Sequence, residues 1–579
     1  MIEHSSPISG IDVNKSYVAT AGYDNKVILW DAESHTSLAD VRHDHLANQC
    51  RFAPSGRLLA TSGSDFSARI WTIPDLRLVT VLTDQKDDVE MTVISPDETM
   101  VATVSRDHHV RVYSIDGVLR YRMEGHQRDV LSVEWVADGR ELVTTSDDST
   151  VRRWDVQRGE LLHTTDLGDV ETDTVAVIDD GEVLVLGNDD GNLVIIEYDQ
   201  TPRLVEAHGA GIKRVVFDRE QQRLLSSSYD RTVRLWQWNP ERRELELRIT
   251  SDVPAEVWLR SCAKLDETRW AFGTFGTSYA VWDSATDTWD LAAVRPTHGV
   301  NAVARSDGAT LTVGDAGIVS RAGEPVAYVG SCCNFLCPVG SRWVTGGQLG
   351  IVYDALSGAA LHQHRSPLNC AATFPGADGN PRLVVGTYTG EGLVFRLDGE
   401  RLEFEREVPL HDNAIKDVAV SAEVLFSVSA TGSAGFHAIP DLTVIHHEES
   451  AHDRICNGAA VLHDGRFASV SRDLTLRIWS AQGERLAVVP TPHEHSIKCV
   501  TTDPTGRFVA TGGYRGRVAV YDSGDGEAGD GEAGGTEQWV LNERVASAGV
   551  SSLCPGDEPG TVIAGSYDGR TYEIRASSR

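Results

Sequence analysis

The feature that most constrains this chain is a short pattern that recurs about every 40 residues. Each copy closes a predicted strand on a large aromatic or apolar residue, as in "SSYDRTVRLW" at 227–236. The strand ends are Trp30, Trp71, Tyr113, Trp154, Ile196, Trp236, Trp282, Val319, Tyr353, Phe395, Phe436, Trp479, Tyr521 and Ile574. They define 14 units. A repeat of this length is typical of small sheets that bury their faces only against their neighbours.

Residues 126–155 show what one unit contains. An alternating segment is followed by a hairpin signal at Asp138-Gly139, a second strand, a tight turn at Asp147-Asp148 and a third strand. No long helical periodicity occurs in the chain, so the pattern predicts an all-β fold of short strands.

These residues resemble the WD-repeat (WD40) β-propeller family over essentially the whole chain. In that family a His before the inner strand, a Ser or Thr, a turn Asp and the strand-end Trp form a hydrogen-bonded tetrad. The resemblance implies three complete tetrads: His126–Ser146–Asp148–Trp154, His208–Ser228–Asp230–Trp236 and His452–Ser471–Asp473–Trp479. Units 1 and 2 have Gly at the Ser position, and units 7 to 11 depart further, with Gly276 and Thr389 at the Asp position.

Propellers have 4–8 blades, so 14 units predict two seven-bladed WD40 β-propellers in tandem. The expected domains are 1–296 and 297–579. This is similar, in architecture only, to the tandem-propeller actin-interacting protein, and actin binding is not implied. Ring closure is open: either blade 14 has three strands, or the first residues add a strand to one ring.

A low-complexity segment, "SGDGEAGDGEAGG", interrupts the second ring. It is acidic, rich in Gly and without large apolar side chains, so we expect a disordered loop at 523–536. A docking tail is the alternative.

The net charge of −32 disfavours nucleic-acid and anionic-membrane partners. No signal peptide or long apolar run occurs, so a cytoplasmic protein with reduced thiols is expected. The chain has seven lysines and 46 arginines. That skew is typical of GC-rich bacterial genomes and suggests a bacterial source.

No nucleotide-binding, hydrolase or metalloprotease motif occurs, so we expect no catalytic residue, cofactor or metal, and no enzyme activity. Two groups leave metal binding open. Cys332, Cys333 and Cys337 lie close in sequence, but no further ligand pair follows at zinc spacing. His446 and His447 are consecutive on a predicted strand, so they point to opposite faces.

The residue before the turn Asp is the strongest functional candidate, because in WD-repeat proteins it commonly contacts partners on the wide face. In ring 1 the candidates are Tyr23, Arg106, Asp147, Asp189, Tyr229 and Phe275. In ring 2 they are Tyr388, Arg472, Tyr514 and Tyr567. We expect an arc of Tyr229, Phe275 and Tyr23 in ring 1, and Arg472, Tyr514 and Tyr567 side by side in ring 2. Aromatic and Arg side chains favour interface hot spots, although a Tyr here could merely cover its turn.

The predicted function is a non-catalytic scaffold or adaptor that binds proteins or peptides through both wide faces. A small-ligand sensor or enzyme using a propeller channel is one alternative. A structural subunit of a larger assembly is the other.

Overall fold

The computed structural model describes residues 2–168, 170–198, 200–524 and 538–576. These residues form 14 antiparallel sheets, 13 with four strands and the last with three. Each predicted strand end lies in the third strand of its sheet. The all-β expectation is confirmed; the only helical elements in the described ranges are two 3-10 turns, Ala137–Gly139 and Asp179–Gly181. None of the helical elements described is long and apolar enough to cross a membrane.

The first seven sheets contain strands β1 to β28, and each group of four is one blade. In chain order they are Ile8–Val13, Tyr17–Gly22, Lys26–Asp31, Ser37–Arg42; Ala47–Phe52, Leu58–Gly63, Ala68–Thr72, Leu78–Leu82; Val89–Ile94, Met100–Ser105, Val110–Ser114, Leu119–Met123; Val130–Val136, Glu141–Ser146, Thr150–Asp155, Glu160–Asp166; Thr172–Ile178, Val183–Asn188, Asn192–Glu197, Arg203–Glu206; Ile212–Asp218, Arg223–Ser228, Thr232–Asn239, Glu244–Asp252; and Val257–Lys264, Arg269–Thr274, Ala280–Asp283, Thr288–Asp290.

The last seven sheets contain strands β29 to β55. In chain order they are Val300–Ser306, Ala309–Gly314, Ile318–Arg321, Glu324–Tyr328; Cys333–Val339, Arg342–Gly347, Ile351–Asp354, Ala360–Gln363; Leu368–Pro375, Pro381–Thr387, Glu391–Asp398, Arg401–Pro409; Ile415–Val420, Val424–Ser429, Ala434–Ala438, Thr443–Glu448; Cys456–Val461, Phe467–Ser471, Thr475–Trp479, Arg485–Pro490; Ile497–Thr502, Phe508–Gly513, Arg517–Asp522, Gln538–Arg544; and Val550–Pro555, Thr561–Ser566, Thr571–Arg575.

The chain divides into two compact units, Met1–Thr297 and His298–Arg579. In the first unit, propeller 1, the inner strand of each blade packs on that of the next, and β25 of blade 7 packs on β1 of blade 1. Blade 1 is formed by the first four strands of the chain. The Ile11 amide donates to Ser261 Oγ at 2.8 Å, which links blades 1 and 7. Propeller 1 is therefore a closed ring of seven blades.

The second unit, propeller 2, closes in the same way. Its last inner strand, β53, packs on β29. The Val303 amide donates to Ser552 Oγ at 3.2 Å, and Ser551 Oγ donates to the Val300 carbonyl. Blade 14 has three strands within the described residues, which decides between the two closure alternatives. The predicted loop 523–536 lies almost entirely outside the described residues.

The hydrophobic core is divided among the junctions between blades. One cluster joins Val93 and Val112 of blade 3 to Trp135 and Trp154 of blade 4. Trp154 is fully buried. Sheets of this kind bury apolar residues against both of their neighbours, which is how a closed ring stabilises its blades.

Candidate functional site

The tetrads fix the turns that carry the candidate residues. In blade 4, His126 Nδ1 lies 2.9 Å from Asp148 Oδ2, and its Nε2 lies 2.8 Å from Thr144 Oγ1. Trp154 Nε1 donates to the same Thr144 hydroxyl at 2.9 Å. The bridging hydroxyl is therefore Thr144, and the prediction that Ser146 bridges the tetrad is wrong.

The same correction applies to Ser228 and Ser471, because the tetrads of blades 6 and 12 use Ser226 and Ser469. Trp154 pairs with Leu142 across the strands, so its indole reaches Thr144, the diagonal neighbour on that face. Ser146 is one step farther away. Its hydroxyl instead accepts the Asp148 amide at 3.1 Å and so stabilises the turn.

Blades 1 and 2 also have complete tetrads, although Gly22 and Gly63 occupy the position of Ser146. Thr20 bridges His4 and Trp30, and Thr61 bridges His43 and Trp71. The aspartates of these two tetrads, Asp24 and Asp65, bond Nδ1 of their histidines. Five tetrads are therefore complete in the described chain.

The charges in the tetrad define the tautomer of its histidine. Burial would raise the pKa of Asp148, but its hydrogen bonds with His126 and Thr150 hold that pKa well below its usual range. Burial lowers the pKa of His126. The imidazole is therefore neutral. Its Nδ1–H donates a hydrogen bond to the Asp148 carboxylate, and its Nε2 accepts one from the Thr144 hydroxyl.

One backbone hydrogen bond places every candidate residue on the wide face, the end of each ring where the inner strands begin. The amide of the residue before the turn Asp donates to the carbonyl just before the inner strand. Tyr23 donates to Pro7 at 2.9 Å, and Tyr229 donates to Gly211 at 3.0 Å. The other 12 blades repeat this bond.

A second feature of the wide face, a β-bulge in each inner strand, was not predicted from the sequence. In 13 blades the bulge adds one residue, and the bulged residue is the second of its strand. The bulged residue has no partner on the facing strand, and the bulge changes the direction of its side chain. The second residues are Ser9, Asn48, Glu90, Leu131, Asp173, Lys213 and Trp258 in propeller 1, and Asn301, Asn334, Asn369, Lys416, Asn457, Lys498 and Ser551 in propeller 2.

In several blades the bulge residue touches the candidate residue of its own blade. Arg106 Nε donates to Glu90 at 2.5 Å, and the Lys213 ammonium lies 5.2 Å from the Tyr229 ring centroid. The second position of each predicted inner strand is the sequence signal that could have identified these residues. The site is therefore a double circle of bulge and turn residues.

The aromatic arc of propeller 1 contains a residue that the sequence analysis did not name, Trp258. The Tyr23 and Trp258 rings are 5.2 Å apart, edge to face, and Trp258 stacks on Phe275 at 5.4 Å. Phe275 is only 5% exposed, so the prediction that it contacts a partner is wrong: Trp258 covers it. The Tyr229 ring centroid lies 5.2 Å from the Lys213 ammonium.

Blade 7 has an enlarged bulge, with three more residues between Val257 and Cys262 than the facing strand has. It carries Trp258 and Arg260 into the ring. Arg260 bonds Glu90 of blade 3 at 3.1 Å, and Glu90 also accepts from Arg106. An ion-pair network therefore spans the axis of propeller 1 at its wide face.

The opposite sector of propeller 1 is acidic. Burial and the neighbouring Glu171, Asp129 and Asp173 carboxylates raise the pKa of Asp147 well above its usual value. Asp189 lies 2.5 Å from the Lys213 ammonium. The predicted candidates of propeller 1 therefore lie in distinct sectors, aromatic and acidic.

In propeller 2 the Tyr514 and Tyr567 rings stack with centroids 6.4 Å apart. Lys416 of blade 11 lies 5.6 Å from the ring centroid of Tyr388, which belongs to blade 10. Arg472 lies in the blade 12 turn, between the blades of Lys416 and Tyr514.

The two sequence-based metal candidates lie elsewhere. Burial raises the pKa of Cys333 and Cys337 to about 12 and that of Cys332 well above its usual value, which disfavours the thiolates that bind zinc. His446 packs on Phe436, whereas His447 packs on His411. No group of three or more ligating side chains with metal geometry occurs among the described residues.

The chain resembles known proteins in sequence. The family model "WD domain, G-beta repeat" matches residues 1–31, 37–72, 76–114, 117–155, 200–237 and 484–522. The 77 kDa echinoderm microtubule-associated protein of Lytechinus variegatus is 26% identical over 261 residues, 38% of this chain and 38% of that protein. The chain thus spans about two fifths of its length.

Two other relatives match over fewer residues. The target of rapamycin complex subunit wat1 of Schizosaccharomyces pombe is 27% identical over 33% of this chain and 78% of its own length. Autophagy-related protein 16 of Arabidopsis thaliana is 25% identical over 39% of this chain and 45% of its own. These relatives are eukaryotic, so a bacterial source stays an unsupported prediction. With 14 blades, five complete tetrads and six matched repeats, the chain belongs to the WD-repeat β-propeller family.

Proposed function

We propose that this protein is a non-catalytic scaffold that binds protein partners through the wide faces of its two propellers. The observation that carries the proposal is the double circle: in every blade one hydrogen bond and one bulge hold two side chains at the same face. A fixed surface loses little conformational entropy on binding. The proposal includes a cytoplasmic location and no cofactor, nucleic-acid or membrane partner.

The names of the relatives support protein binding, since one is microtubule-associated and another is a subunit of a complex. The particular partners of these relatives are not proposed for this protein, because the matched segments cover only part of this chain and part of each relative. The half-buried rings of Tyr23, Tyr229, Tyr514 and Tyr567 are the expected anchors.

The test is capture of partners by the full chain, followed by measurement of the affinity of each purified partner. We expect Tyr23→Ala/Tyr229→Ala or Tyr514→Ala/Tyr567→Ala to weaken binding roughly tenfold or more. A matched control, Tyr198→Ala/Tyr328→Ala, removes two tyrosines that are 54% and 59% exposed and lie elsewhere. Equal affinities for all three variants would refute the proposal.

The alternative of a channel ligand is favoured by one observation. Arg214 is 6% exposed on the inner strand of blade 6, and its Nε has no hydrogen-bond partner in the described structure. The Arg51–Glu134 ion pair, at 2.8 Å, joins blades 2 and 4 near it. Binding of inorganic phosphate that is lost in Arg214→Met would favour this second function.

A further inference from the structure

The bulge residues of the wide face differ in charge between the two propellers. In propeller 2 it consists of four asparagines, a serine, Lys416 and Lys498, with no carboxylate. The same positions in propeller 1 include Glu90 and Asp173. The charged bulge residues are therefore all positive in propeller 2, whereas propeller 1 has both positive and negative ones.

Lysine is concentrated at this position. The chain has seven lysines, and Lys213, Lys416 and Lys498 are all bulge residues. In propeller 1, Lys213 is neutralised by Asp173 at 2.8 Å and Asp189 at 2.5 Å. Among the described residues, no carboxylate lies within ion-pair distance of Lys498.

The Lys498 charge acts on the buried carboxylate of Asp417, which already accepts two backbone hydrogen bonds. Its carboxylate accepts the amides of Val418 and Ala459, each at 2.9 Å. Burial raises its pKa to about 6. Asp417 therefore serves the junction of blades 11 and 12, and among the described residues it forms no ion pair with Lys498.

Three consecutive blades contribute one cation each to this sector: Lys416 from blade 11, Arg472 from blade 12 and Lys498 from blade 13. Tyr388 lies beside Lys416, and the stacked Tyr514 and Tyr567 lie beyond Lys498. We name these six residues the cationic mouth. Ammonium, guanidinium and phenol groups all donate hydrogen bonds to carboxylates.

Asparagines hold the two lysines in place. Asn369 Nδ2 donates to the Ile415 carbonyl at 2.8 Å, immediately before Lys416. Asn457 Nδ2 donates to the Ile497 carbonyl at 2.7 Å, immediately before Lys498. Each of these hydrogen bonds crosses a blade junction. They hold the backbone next to the two lysines in place, and a binding site needs such support.

We propose that the cationic mouth of propeller 2 binds an acidic polypeptide segment, whose carboxylates pair with Lys416, Arg472 and Lys498. This rests on the proposed function and names the partner chemistry of one of its two faces. On a chain of net charge −32, a local cationic sector attracts such a segment while the remaining surface repels it, which favours one docking position.

The test uses the full chain and a short fluorescein-labelled peptide of alternating Glu and Ser, read by anisotropy at two ionic strengths. We expect Lys416→Gln/Lys498→Gln to weaken binding roughly tenfold and added salt to weaken wild-type binding. The control, Lys15→Gln/Arg57→Gln, removes the same charge from exposed positions of propeller 1 and should bind as wild type does. Lys416→Arg/Lys498→Arg keeps the charge and should retain binding, which excludes misfolding as the cause.

The proposal is overturned if the wild type does not bind this peptide, or if the Gln variant binds as tightly as its control. It is also overturned if the corresponding Lys–Ser peptide or a single-stranded oligothymidylate binds more tightly. If only this inference fails, partner capture stays sensitive to Tyr514→Ala/Tyr567→Ala. If the proposed function fails, capture is insensitive to substitutions on both faces.

Discussion

The guanidinium of Arg260 in blade 7 donates a hydrogen bond to the carboxylate of Glu90 in blade 3, at 3.1 Å. These blades are three steps apart around the ring, so the bond crosses the axis of propeller 1. The enlarged bulge of blade 7 gives Arg260 its reach. Glu90 is only 7% exposed and also accepts from Arg106, so one buried carboxylate serves two cations.

Glu90→Gln should destabilise the protein by about 1–3 kcal/mol. Breaking a fully buried pair costs about 3–5 kcal/mol, but Arg260 is partly exposed and Arg106 keeps Asp129 at 2.5 Å. Urea denaturation of wild type and variant measures the difference, with exposed Glu33→Gln as the control. An unchanged unfolding midpoint would show that the bond across the axis contributes nothing to stability.

Thr144→Val and Ser146→Ala separate the observed tetrad from the one predicted from sequence. Thr144→Val removes the partner of both the Trp154 N–H and His126 Nε2, and should cost about 2–3 kcal/mol. Ser146→Ala removes an acceptor of the Asp148 amide and a long bond, 3.4 Å, to the Arg128 carbonyl, and should cost about 1 kcal/mol. Denaturant titrations compare the two variants, and a larger loss for Ser146→Ala would contradict the Thr144 assignment.

Trp236→Ala should destabilise the protein by about 3–5 kcal/mol, because it leaves a large cavity. The indole is 4% exposed and packs against blade 5, and its N–H donates to Ser226 at 2.9 Å. Thermal and urea unfolding give the change, and Leu204→Ala, at an exposed position of the same ring, serves as control. Wild-type stability in Trp236→Ala would contradict the structural role of the tetrad.

Blade 11 should make stability sensitive to acid. Its register places His437 opposite Leu425, where complete tetrads have Trp. Burial lowers the pKa of His437 to about 4 and that of His411 to about 3. An unfolded histidine titrates near pH 6.5, so the unfolded state binds more protons below that pH. The contribution of these two histidines to the free energy of unfolding is fully present above pH 6.5 and is lost as the pH decreases towards 4.

At pH 5 each of these histidines should reduce the free energy of unfolding by about 2 kcal/mol relative to pH 7. Urea midpoints at the two pH values measure the loss. In His437→Leu this loss of unfolding free energy should be smaller by the share of His437. In the control His108→Leu, at a half-exposed position of propeller 1, the loss should equal that of wild type. An equal pH dependence in wild type and His437→Leu would contradict a neutral buried imidazole.

Much of the site follows from local spacing. The His, Asp and Trp of a tetrad occupy recurrent positions in the repeat, and the residue before each Asp is placed at one face by one backbone bond per blade. These are contacts within one repeat, so the sequence of that repeat contains their pattern.

The bridging hydroxyl was less accessible to sequence reasoning. Thr144 and Ser146 are two residues apart, point to the same face and have the same chemistry. Only the pairing of Leu142 with Trp154 shows that the indole reaches Thr144. A similar limit applies to Phe436, the predicted strand end of blade 11, since His437 occupies the Trp register there.

By itself the sequence determined the family, the 14 units and the face on which the variable turn residues lie, because each depends on short, repeated spacing. The tertiary structure alone decided the ring closure, the burial of Phe275 under Trp258, the bulge circle and the bond between Arg260 and Glu90. These depend on strand register and on contacts between blades far apart in the chain. Arg260 and Glu90 are 170 residues apart, and only the closing of the ring brings them together.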